Sequence, residues 1–284
     1  MPLNLPEGKR LAFNIQPHFD AQSAWQGTFD RSSPAYLSRG EFDAEVGVPR
    51  LLALLKDFGL PATFFTPTHT MATFPEQFAR VLDAGHEIGA HGCCHENIPS
   101  LSPSEEERLM ELTVTQHEKI VGCAPRGFGS PAWDFSDITY ELLMKYEFDY
   151  DSSLMGRDFQ PYFPRKVNLD LENGNRFAEP WEILEIPVSW YLDDFPHLEF
   201  IGGFNHGPFT IGQLVEMWTT QFDYAYANEP NGVFTLTVHP GTIGRAHHLV
   251  AFRKFLEHVL SHDGVWPATL AQVADSWQSR TATT

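Results

Sequence analysis

Cysteine is scarce in this chain. There are three in 284 residues, and two of them, Cys93 and Cys94, are adjacent. That supply cannot build a disulfide framework. Basic residues are also few, 19 Lys and Arg against 37 Asp and Glu, for a formal charge of −18. Such a surface repels phosphate backbones and anionic lipid, so neither nucleic acid nor a membrane is expected as a partner. No run approaches the roughly 20 apolar residues that a membrane span requires. The first ten residues carry no apolar h-region, which reads as no secretory signal and a cytoplasmic protein. Low-complexity tracts, internal repeats and linker-like stretches are missing too, so a single domain over 1–284 is expected.

What the chain does have is an apolar fraction of 42% and an aromatic fraction of 13%, enough for a sizeable core. Short apolar runs alternate with helical patterns. Residues 10–16 read as a first strand stopped by Pro17, which cannot donate to a ladder. Residues 49–59 read as a helix capped by Gly59, and 61–66 as a second strand. A helix over 74–84 and a strand over 86–91 follow. Pro103 and the acids behind it start a helix that runs to about 121. Further helices are expected near 138–146, 211–227, 247–260 and from 269, with strands at 148–153, 183–187 and 232–239. Strand, polar loop, helix is the rhythm of an α/β fold with a parallel sheet, barrel-like at this length. Residues 21–41 and 156–180 have no sustained period and are expected as long loops, the former roofing a site.

In such folds the ends of the strands carry the chemistry. Here they carry His18 and Asp20, then His91 and His95, then His239. Two imidazoles three residues apart can share one ion if the chain turns at Gly92. Each residue alone has an ordinary alternative: Asp20 could cap a turn and His239 could be a satisfied structural histidine. Cys93 and Cys94 read as packing residues.

The combination resembles the polysaccharide deacetylase family, the NodB-homology or carbohydrate esterase family 4 fold. The stretches that carry the resemblance are residues 38–50, 84–97, 150–155 and 185–194, together with His239-Pro240. They are particularly similar to the subgroup that includes a Helicobacter peptidoglycan deacetylase and bacterial cyclic-imide hydrolases. The resemblance implies a distorted (β/α)7 barrel holding one divalent metal ion, zinc by its donors, on Asp20, His91 and His95. It implies His239 as the general acid that protonates the departing nitrogen.

Two positions depart from the family pattern. The usual first-strand base is an Asp, and His18 stands there. An imidazole can take a proton at neutral pH, so His18 is expected as the base. A fourth metal ligand and a site with lost hydrolysis stay open. In the third motif Gly129 replaces the usual Arg, leaving Arg126 as the nearest orienting cation. Trp133, Trp190 and Tyr191 are candidates for the substrate pocket, and Asp193 or Asp194 for orienting His239. The expected function is hydrolysis of a small amide or cyclic imide. Polysaccharide or peptidoglycan N-deacetylation is the alternative, and a non-catalytic binding protein the second. A homodimer or homotetramer is expected from the resemblance.

Overall fold

The computed structural model describes residues 3–281. Twelve strands follow in chain order: β1 (Leu11–Pro17), β2 (Thr63–Thr66), β3 (Glu87–Ala90), β4 (Gly127–Phe128), β5 (Tyr150–Asp151), β6 (Arg165–Asn168), β7 (Arg176–Pro180), β8 (Leu184–Glu185), β9 (Phe200–Ile201), β10 (Asn205–His206), β11 (Val233–Val238) and β12 (Val265–Pro267). The helices are α1 (Ser23–Gly27), α2 (Pro34–Phe42), α3 (Val48–Phe58), α4 (Thr68–Thr73), α5 (Pro75–Asp83), α6 (Pro103–Val121), α7 (Thr139–Lys145), α8 (Phe195–Leu198), α9 (Ile211–Asn228), α10 (Pro240–Ile243), α11 (Ala246–Leu260) and α12 (Leu270–Thr281).

Parallel pairing runs β2-β3-β4-β5-β8, and separately β11-β1-β12. Two single-residue parallel bridges, His18 to Phe65 and Asp193 to Thr237, join these sheets. The result is a ring of seven parallel strands, the distorted (β/α)7 barrel, with β12 as an eighth strand paired only to the start of β1. The distortion has a visible cause. At its start β1 pairs with β12 through Leu11–Phe13, and only past its end, at His18, does the chain meet β2. One strand thus serves two neighbours at different heights.

The apolar runs form strands because both faces are covered: every residue of β1, β2 and β11 is buried. Phe13 and Phe234, on the outer face of the ring, meet Phe222 of α9 and Phe255 of α11, with ring centroids 5.5–6.4 Å apart. Truncating one such ring to alanine costs about 3–5 kcal/mol, so this wall holds α9 and α11 firmly against β1 and β11. The helices start and stop as the sequence dictates. Ser102 accepts from the backbone N–H of Glu105 ahead of Pro103, and Gly59 closes α3 at φ 63°.

Two segments differ from expectation. Residues 21–41 hold α1 and most of α2, and a π-turn segment, Asp43–Gly47, continues α2 into α3. Their apolar residues cover the strand ends without a regular stripe, which hid the helices from a periodicity search. Within 156–180, β6 and β7 pair as an exposed antiparallel hairpin. It buries no apolar face, so its sequence shows no alternation.

Candidate active site

The loops at the C-terminal ends of the strands converge on Asp20. The backbone N–H of His18 donates to Val238 O at 2.9 Å, and that of Phe19 to Phe65 O at 2.9 Å, so the turn carrying Asp20 is stitched to both neighbouring strands. His91 follows β3 directly. Gly92 then turns the chain at φ 68° and His95 itself sits at φ 59°. The Glu96 carboxylate accepts the N–H groups of Cys93 and Cys94 at 2.8–3.1 Å, closing this loop from within. Cys93 and Cys94 are half-buried in it, more open than packing residues would be.

Nε2 of His91 lies 3.5 Å from Asp20 Oδ1, and Nε2 of His95 lies 3.6 Å from Asp20 Oδ2. Nε2 of His239 approaches the same Oδ2 at 3.7 Å. The second ring nitrogens reveal the tautomers. His91 Nδ1 sits 2.6 Å from Gly129 O, a pure acceptor, so Nδ1 carries the proton and Nε2 the lone pair. Thr28 Oγ1 gives its own proton to His95 O at 2.9 Å and therefore accepts from His95 Nδ1–H at 2.6 Å. Both imidazoles thus turn a lone pair towards Asp20, as a metal ligand must.

Burial is what makes a cation fit. Asp20 Oδ1, His91 Nε2 and His18 Nε2 are buried without a hydrogen-bond partner. Leaving such atoms unpaired is costly; one divalent ion would satisfy Asp20 Oδ1 and His91 Nε2 together, with His18 Nε2 beside them. Desolvation holds His91 down to about 3 and His18 and His95 well below the ordinary imidazole range, keeping all three neutral. Desolvation likewise pushes Asp20 up to about 7; His239 opposes this, while Asp43, Asp193 and Asp194 add to it. A carboxylate among that many acids calls for a positive partner. Ligand atoms of His18, Asp20 and His91 all lie within 4.8 Å of one another, so His18 stands in the donor group as well as beside it.

His239 follows β11 and is gripped by Asp194. That carboxylate accepts the backbone N–H at 3.0 Å and Nδ1–H at 2.8 Å, whereas Asp193 lies 3.4 Å from Nδ1. Asp194 is therefore the orienting partner. Asp193 caps the next turn by accepting from Phe195 N at 2.8 Å.

A pocket of about 70 Å³ opens over these groups, walled by Phe29, Trp133, Trp190 and Phe195. Trp133 and Trp190 are where the sequence suggested, their rings 4.5 Å apart. Tyr191 is not: it does not line the pocket and is 64% exposed. Arg126 is also elsewhere. It precedes β4, at the opposite end from the site, and pairs with Asp149 and Asp275 on the surface. Its place in the chain put it at the wrong end of a two-residue strand. Thr28, Phe29 and Phe195 were missed, being ordinary loop residues whose role appears only when the roof folds. A larger hollow of about 760 Å³ lies between the C-terminal ends of α3 and α5, where no such set of buried donors converges.

A (β/α)7 barrel with a carboxylate and imidazoles converging at the strand ends provides a donor set that could hold a metal ion. The family model for polysaccharide deacetylase matches residues 22–150, which include His91 and His95. The chain is 40% identical to a peptidoglycan deacetylase of Helicobacter pylori, over 92% of this chain and 94% of that protein. It is 33% identical to a peptidoglycan deacetylase-like protein of Gibberella zeae, over 87% and 80%. A crystal structure described as a candidate polysaccharide deacetylase of Mycobacterium smegmatis superposes with TM-score 0.85 at 31% identity, covering 99% of this chain and 94% of that one. An allantoinase shares the fold at TM-score 0.81 and 22% identity, over 98% and 94%. The chain belongs to the polysaccharide deacetylase family, hydrolases of non-peptide carbon–nitrogen bonds. Among the described residues no helix is long and apolar enough to cross a membrane.

Proposed function

We propose that this enzyme removes the acetyl group from an N-acetylated sugar of a polysaccharide, peptidoglycan by similarity to its relatives. This reverses the ranking drawn from sequence, which put a small amide or imide first. The observation that carries it is 40% identity to a peptidoglycan deacetylase along nearly the whole chain. The narrow pocket beside His239 suits an acetamido group entering from a larger chain.

Asp20, His91 and His95 would hold the metal, zinc by its mixed nitrogen and oxygen donors. When bound, the ion supplies Lewis acidity towards the amide carbonyl and the attacking water. His18 Nε2, buried and unpaired, takes the proton from that water. His239, held by Asp194 through Nδ1, carries on Nε2 the proton that leaves with the amine. Trp133, Trp190, Phe29 and Phe195 exclude bulk water and clamp the acyl group.

A second reading makes His18 a fourth donor, supported by its ligand atom lying within 4.8 Å of those of Asp20 and His91. His18→Ala separates the two: metal retained with turnover lost supports the base, and metal lost supports the ligand. For the substrate, the purified enzyme is offered N-acetylated glycan oligomers beside succinimide and hydantoin. Acetate release from the glycans is expected. Imide opening with inert glycans would return the small cyclic imide, which the tight aromatic pocket also admits. Binding of glycans without any turnover would support a non-catalytic member. The single domain over 1–284 and a homodimer or homotetramer carry over as expectations, whereas the cytoplasmic location belongs with the small-imide alternative.

A further inference from the structure

A second histidine–aspartate cluster lies outside the barrel, between α9 and α11. Nε2 of His258 is 2.6 Å from Asp223 Oδ1, and Nε2 of His262 is 3.9 Å from the same oxygen. The ligand atoms of all three side chains lie within 4.8 Å of one another. The geometry points to a metal-binding site of its own, one that takes a divalent transition ion such as zinc or copper and clamps α9 to α11.

The two histidines are four residues apart, so they stack on one face where α11 ends. His262 is pre-set as a ligand. Its Nδ1 lies 2.9 Å from His258 O, which only accepts, so the proton is on Nδ1 and the lone pair on Nε2 faces Asp223. The rings are held sideways as well: Phe222 packs on both imidazoles and Tyr226 on His262, with centroids 4.8–6.0 Å apart. Phe222 is fully buried and belongs to the wall behind β1 and β11. Ligand direction here is thus anchored to the core rather than left to surface rotamers. The 2.6 Å contact is a hydrogen bond from His258 Nε2–H to Asp223, and an ion would take the place of that proton and part the two atoms slightly. With one carboxylate and two neutral imidazoles the site matches the donors that zinc and copper prefer, and its half-exposed side leaves positions for water. Nothing in the proposed hydrolysis uses it.

The test is zinc titration of the holoenzyme by calorimetry, with metal analysis after gel filtration and glycan turnover measured in parallel. Wild type is expected to take up one further equivalent of zinc, more weakly than the catalytic ion. His262→Ala and Asp223→Asn should each weaken that uptake at least tenfold while leaving turnover unchanged. Copper bound in its place should show nitrogen hyperfine structure in its electron spin resonance spectrum, lost in His258→Ala. His262→Gln, which keeps the size of the side chain, guards against a folding artefact. No further equivalent in wild type, or equal uptake in all variants, would overturn the site and leave a surface ion pair.

Discussion

The chain builds two clusters from the same residue types and spends them differently. Around Asp20 the imidazoles are buried, and each second nitrogen or carboxylate contact is fixed by Gly129, Thr28 or Asp194. Around Asp223 the carboxylate is half in solvent, and the rings lean on Phe222. Water can compensate a lone carboxylate at the second place and not at the first, where three donor atoms are orphaned. Burial therefore turns the first cluster into a site that requires an ion. The second tolerates its absence. The catalytic difference follows, because only the buried cluster adjoins a walled pocket.

Removing donors should expose that asymmetry. Asp20→Asn takes away the carboxylate that every other group faces. Metal content should collapse, and turnover should fall beyond the about 100-fold that loss of an outer partner costs. His239→Ala should keep its metal and lose about 10²- to 10⁴-fold in kcat, the range for a general acid. Metal analysis beside steady-state kinetics distinguishes the two. Asp194→Asn leaves His239 in place without its anionic partner, and about a 10- to 100-fold loss in kcat with normal metal content is expected. Thr28→Val removes the acceptor for His95 Nδ1. About a tenfold weaker metal affinity, read by competition with a chelator, is expected there. At the bottom of the scale, His262→Ala should leave turnover where it was. A large loss there would erase the distinction between the clusters.

Most of the barrel was legible in the chain because its strands are continuous apolar runs and its helices carry ordinary caps, Gly59 and Ser102 among them. Asp20, His91, His95 and His239 were picked out because they stand at or shortly after the ends of those runs and match, as a set, the order of the family the sequence resembles. The roof was not. Its helices are short and irregular, and the contact that turns Thr28 into a partner of His95 spans 67 residues. Arg126 was misplaced for the opposite reason: a strand of two residues gives no clear sense of which end is which. The Asp223 cluster needs two helices brought side by side, so spacing alone offers only the pair His258 and His262. Which of Asp193 and Asp194 grips His239 depended on a difference of 0.6 Å, 3.4 against 2.8 Å, that no sequence displays.

Gly27, at the end of α1, has a consequence for the site. A β-carbon there would fall 2.0 Å from Cys94 O and 2.6 Å from His95 O, so the roof rests backbone to backbone on the loop that bears His95. No cushion of side chains separates the two. Lifting that part of the roof would break the contacts of Thr28 with His95 that hold the imidazole in place. On the other side the pocket rim meets solvent at Trp190, which lines the pocket while still 40% exposed.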